Sequence, residues 1–136
     1  MRAATYNLPP VAGDHDTAEC VIYFFGQGQG GSVEANIDRW KSQFRAPGGK
    51  PAEAKIGKRS IHGFPVTTID TSGEYSGIGG PLAKDTTLKP SYRLLGAIIE
   101  NPGGNIFIKF TGEAKTMAAN QQRFEQLLAS FEADKR

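Results

Sequence analysis

The sequence predicts an α+β domain: a three-layer α/β/α sandwich with a mostly antiparallel sheet of about six strands and two long amphipathic helices. Three observations lead there. Residues 21–25 and 94–99 are apolar at successive positions, so a sheet containing them must be covered on both faces. Two other segments repeat apolar residues at helical spacing: Val33, Ile37, Trp40 and Phe44, then Met117, Phe124, Leu127, Leu128 and Phe131. Between them, glycine and proline clusters divide the chain into hairpin-like pairs, not the alternating strand–helix units of a parallel sheet. At 136 residues the chain fits one domain, residues 1–136, large enough for a real core.

Residues 3–8 read as a first strand ended by Pro9-Pro10, and residues 11–17 as a polar turn. His15 lies in that turn between Asp14 and Asp16, without the further ligands that a metal site needs. Residues 18–25 form the next strand, expected to be central. The first helix runs from Ser32 to about Arg45, with Ser32 as N-cap, Glu34 in the first turn and Arg45 in the last, as the helix dipole favours. Asn36 and Gln43 border its apolar stripe, where their amides suit neighbouring backbone. Residues 53–60 read as an edge strand, because Lys55, Lys58 and Arg59 discourage further pairing. A tight turn at 61–63 returns the chain into a strand at 64–72. Residues 73–91 read as one long loop, a length that often marks function or mobility. Residues 92–100 form a strand apolar on both faces, 101–104 a turn and 105–111 its partner strand. The closing helix spans about 113–134.

The junction at residues 26–31, Gly-Gln-Gly-Gln-Gly-Gly, fits the spacing G-x-G-x-x-G between a strand and a helix. In a dinucleotide-binding turn such glycines let backbone N–H groups approach a pyrophosphate. The acidic residue expected about 20 positions on would be near Glu53, beside a proline–glycine loop rather than at a strand end. The lysine of a phosphate loop is also absent after Gly31. The glycines are therefore read as a tight turn with positive φ, capped by Ser32, with Gly28, Gly30 and Ser32 kept as candidate anion contacts.

Charge and cysteine content narrow the classes. The net charge is only +2, yet seven basic residues between Arg39 and Arg59 face a single acid, Glu53. That segment lacks the interleaved aromatics of a nucleic-acid groove, and nucleic acid is disfavoured as a partner. The lone Cys20 cannot form an internal disulfide and reads as a small buried side chain. No apolar run reaches membrane-spanning length. The chain as written begins without a secretory h-region, which predicts a cytoplasmic protein, or one of the cell envelope if a leader has been removed.

Several stretches resemble a known group. Tyr23-Phe24-Phe25-Gly26, Gly30-Gly31-Ser32-Val33-Glu34, Asn36-Ile37, Arg39-Trp40, Gln43-Phe44, Tyr92-Arg93-Leu94-Leu95-Gly96-Ala97 and Lys109-Phe110-Thr111-Gly112 are similar to a family of uncharacterised bacterial proteins, many of them predicted lipoproteins. Element order and size resemble the PsbP-like sandwich fold, which includes an extrinsic photosystem II subunit and a nuclear-import factor that binds a Ran-type GTPase. The resemblance implies a fold and brings no catalytic residues with it. Fold alone does not transfer function.

No nucleophile–base pair, metal cluster or close acid pair stands out, so no catalytic residue, metal or cofactor is expected. A non-catalytic domain that binds another macromolecule is the leading expectation. The alternative is a protein, an enzyme included, that binds a small molecule or anion through the glycine loop and the 73–91 loop. Tyr75, Tyr92 and Arg93 are the candidate contacts there: tyrosine offers a large face at low entropy cost, and arginine a planar fork for carboxylate or phosphate. The competing expectation for Arg93 is an internal ion pair with an acid such as Glu74.

Overall fold

The computed structural model describes residues 2–24, 31–46, 50, 52–75, 89–101 and 103–130. Within them the chain runs β1 (Arg2–Leu8), β2 (Ala18–Phe24), α1 (Val33–Ser42), β3 (Phe44–Arg45), β4 (Ala54–Ile61), β5 (Phe64–Tyr75), β6 (Lys89–Ile99), β7 (Ile106–Glu113) and α2 (Ala114–Ser130). The fold is α+β, with one seven-stranded sheet in the order β1-β2-β7-β6-β5-β3 and β4 also paired to β5. Every pairing is antiparallel. Because β6 takes one side of β5, β4 and β3 share the other, β4 along residues 64–71 and β3 at residues 74–75.

Side chains alternate across the strands, and the two parities feed two cores. Leu95, Ala97 and Ile99 of β6 join Ile108 and Phe110 of β7 beneath Met117, Phe124 and Leu128 of α2. Tyr92, Leu94 and Ile98 join Phe107 and Ile69 beneath Ile37 and Trp40 of α1. Each helix therefore lies on its own face of the sheet. Trp40 and Phe124 are buried, as the helical stripes predict, and Val33 is half-buried; Phe131 lies outside the described residues.

Four expectations change. The sheet has seven strands, not about six, because Phe44 and Arg45 leave the first helix and pair with Tyr75 and Glu74. That helix is accordingly ten residues long rather than extending to Arg45. Pairing lets Phe44 become fully buried and stack on Tyr75, with centroids 4.8 Å apart. Gly73 permits the close approach: with φ of 144°, a Cβ there would stand 2.3 Å from the Arg45 carbonyl oxygen. Strands β5 and β6 also extend into the span expected as loop, to Tyr75 and from Lys89; residues 76–88 lie outside the described residues. Finally, β2 is not central. It lies one strand in from the β1 edge, so Ile22 and Tyr23 are half-buried and Phe24 is exposed.

The turn at residues 61–63 is as tight as its sequence suggests, with His62 at φ 51° and Gly63 at 86°. Positive φ at both central positions is the hairpin geometry that matches strand twist. Among the described residues no helix is long and apolar enough to cross a membrane.

Candidate functional site

Helix α2 lies over β6 and β7. Among the described residues no helix covers the β1–β2 end of that face. Tyr6 of β1 pairs with Cys20 of β2, which pairs with Phe110 of β7, so these three side chains stand in one row on that face. Leu8 follows Tyr6 by two positions and shares its face. From above, α2 contributes Phe124 and Leu127 at core spacing, with Arg123 on the border of the stripe. Phe124 stacks on Phe110 with centroids 6.3 Å apart. Together Tyr6, Leu8, Cys20, Phe110, Arg123, Phe124 and Leu127 line a trough of about 250 Å³ whose surface is almost wholly apolar.

Exposure grades across this trough. Cys20 and Phe124 at its floor and wall are buried, whereas Tyr6 at its lip is 54% exposed. Burial pushes the Cys20 thiol up to about 11, with the nearby Glu19 charge adding to the shift. Cys20 is therefore a neutral thiol near pH 7, and thiols rather than thiolates are poor nucleophiles. Arg123 forms no ion pair with any described residue, in contrast to Arg59, paired with Glu125 at 2.6 Å, and Arg93, paired with Asp70 at 2.7 Å.

The residues singled out from sequence are divided by the sheet. Tyr75 and Tyr92 come together on the α1 face, stacked at 5.5 Å and 14°. Both are about 5% exposed. Lys109 lies 5.6 Å from the Tyr75 ring centroid and donates to the Gln43 side-chain oxygen at 2.6 Å. The Tyr92 hydroxyl donates to Asp16 at 2.6 Å. Burial, then that hydrogen bond, raises the Tyr92 phenol far above its ordinary value; burial pushes Tyr75 up to about 12, against a hydrogen bond with Thr111. Arg93 follows Tyr92 in β6 and so leaves the opposite face. There its guanidinium meets Asp70 through two hydrogen bonds, at 2.9 and 2.7 Å, and reaches Gln121 at 3.2 Å. The acid is Asp70 rather than Glu74.

Ser32 caps α1 by accepting from the Ala35 N–H at 3.1 Å, and Gly31 before it has φ of 82°. Gly28 and Gly30 lie outside the described residues. Asn36 is buried and donates to the Ser32 carbonyl at 2.8 Å, the backbone partner its position suggests. Its side-chain oxygen accepts from Arg39.

Sequence reasoning missed two features. One is the trough, although Ala4, Tyr6 and Leu8 already alternate along β1. The other is a polar clasp at residues 11–17. Asp14 accepts from both the N–H and the hydroxyl of Thr116, Glu113 accepts from the N–H groups of His15 and Asp16, and Val11 N–H donates to Thr116. Among the described residues no group of three His, Cys, Asp or Glu side chains could hold a metal.

Comparison with known proteins bears on the fold. No protein-family model matches the sequence, and no curated protein matches it. Among solved structures, the chain is similar to PA94 of Pseudomonas aeruginosa, a protein of unknown function described as a candidate regulator. The two superpose with a TM-score of 0.66 over 98% of this chain and 83% of that one, at 14% identity. At that identity the likeness is one of fold.

Proposed function

We propose that this chain is a non-catalytic binding domain, built on a three-layer PsbP-like sandwich, that recognises its ligand in the trough between α2 and the β1–β2 hairpin. A helix on each face of one antiparallel sheet supports the layered reading. The observation that carries the binding reading is the trough itself: about 250 Å³ of space lined by apolar side chains beside an exposed tyrosine. Clefts lined mainly by apolar side chains with a few polar groups are where small ligands bind. The sequence leaves two partner classes, a macromolecule and a small ligand. The volume favours the small ligand, since it sits just under the roughly 300–1,000 Å³ of typical small-molecule pockets. The ionisable groups in the lining suit binding better than catalysis: Cys20 keeps its proton, and arginine does not lose its own.

Nile red, a neutral apolar dye, tests this directly. Wild-type protein should bind it at one site with a rise in fluorescence and in melting temperature. Tyr6→Glu should fold normally, because Tyr6 is 54% exposed, yet bind the dye at least tenfold more weakly. Equal binding by both proteins would move the site elsewhere.

A further inference from the structure

We infer that the trough takes a single-chain amphiphile with an anionic head, a medium-chain fatty acid, its tail among Leu8, Cys20, Phe110, Phe124 and Leu127 and its carboxylate at Arg123. This rests on the trough being the binding site and goes on to name what occupies it.

The shape of the chemistry argues for such a ligand. The lining is almost wholly apolar, and among the residues that border it Arg123 is the one that carries a full charge. A ligand polar along its length would lose its hydrogen bonds to water on entering and find none in exchange. A purely apolar ligand would leave Arg123 unused. An alkyl chain with a terminal carboxylate satisfies both ends. Arginine suits the role because its aliphatic stem can lie along apolar surface while the guanidinium stays at the water boundary. Its planar fork also matches a carboxylate.

Arg123 is available for this. It is exposed and has no ion-pair partner among the described residues, whereas the guanidinium groups of Arg59 and Arg93 are each held by an acid. Its place in the sequence also fits. It precedes Phe124 and lies four residues before Leu127, so one side of α2 carries both the wall of the trough and the charge at its rim. The modest volume sets the length of the tail: a short alkyl chain fills it, and a long one must protrude.

Calorimetric titration of the full chain with octanoate, decanoate, decanol and decyltrimethylammonium, all below their micelle concentrations, tests the inference. Each methylene that enters should tighten binding about fourfold, and the gain should cease once the chain outgrows the trough. Decanoate should bind about three- to fivefold tighter than decanol, the size expected of an exposed ion pair, and this advantage should shrink with added salt. Decyltrimethylammonium should bind more weakly than decanol. Arg123→Gln should abolish the difference between decanoate and decanol while leaving decanol affinity intact. If decanol and decanoate bind wild type equally, or if Arg123→Gln preserves the difference, the anionic head is wrong and the apolar trough stands. If no decyl compound binds, both readings fall.

Discussion

Trp40 rests on Gly96, and neither residue explains the other until β6 is placed under α1. A Cβ at position 96 would stand 2.8 Å from Trp40 Cζ3 and 2.9 Å from Ile69 Cγ2, closer than carbon atoms pack. Gly96→Ala should destabilise the protein by about 1–3 kcal/mol, as overpacking does. Urea unfolding followed by the fluorescence of the single tryptophan measures this, and wild-type stability would show that the indole has room to shift. The burial of Trp40 is legible in the spacing of Val33, Ile37 and Trp40. The need for glycine beneath it is not, because no feature of residues 92–100 says what lies on them. The same holds for Tyr92 and Arg93. Their adjacency is plain in the sequence. Which face each takes depends on the parity of β6, and that is fixed by the burial of Leu94 and Ile98 on one side and Leu95, Ala97 and Ile99 on the other.

Helix α2 begins with a cap borrowed from far away in the chain. No residue at its start carries the expected N-cap signal; Asp14 supplies the carboxylate instead, accepting from the Thr116 N–H at 2.9 Å and its hydroxyl at 2.6 Å. The hydroxyl bond is the main reason that the Asp14 carboxyl is held below its usual range, with burial opposing it. A carboxylate depressed in the folded state adds stability above its unfolded pKa and loses it as the pH falls through the folded value. Asp14→Asn should therefore melt below wild type at pH 7, and the gap should close as the pH drops from about 4 downward. Melting curves across that range check it; a gap independent of pH would mean the charge plays no part. Residues 11–17 read from sequence as a solvated turn because their partners, Glu113 and Thr116, lie at the other end of the chain. Helix α1 was shorter than its apolar spacing suggested for a similar reason: Phe44 continues the stripe, and only its pairing with Tyr75 reveals that it belongs to a strand.

At the scale of the molecule, three acids among the described residues hold their protons because they are buried: Cys20, raised to about 11, Tyr75, raised to about 12, and Tyr92, raised further by its bond to Asp16. The unfolded chain releases these protons near the ordinary values of 9.0 for cysteine and 10.0 for tyrosine. The folded state thus binds more protons over that interval, and stability, fully present below it, falls as the pH rises. The melting temperature should decline from about pH 9 onward, and Tyr92→Phe should make the decline shallower. An unchanged slope would show that Tyr92 ionises as readily in the fold as outside it. The antiparallel character of the sheet was legible because short turns at residues 61–63 and 101–104 join neighbouring strands. Strand order was not, since the pairing of β2 with β7 joins residues from opposite ends of the chain, Glu19 to Thr111 and Phe24 to Ile106. That pairing also sets a timetable. On the ribosome β1 and β2 emerge well before β7, the strand that ties them into the sheet. Until then they form at most an isolated two-stranded ribbon, which is marginal in water, with Tyr6, Leu8 and Cys20 uncovered. Closing so long a loop is slow compared with forming local contacts. The nascent chain therefore carries that apolar ribbon bare from the synthesis of β2 until that of β7.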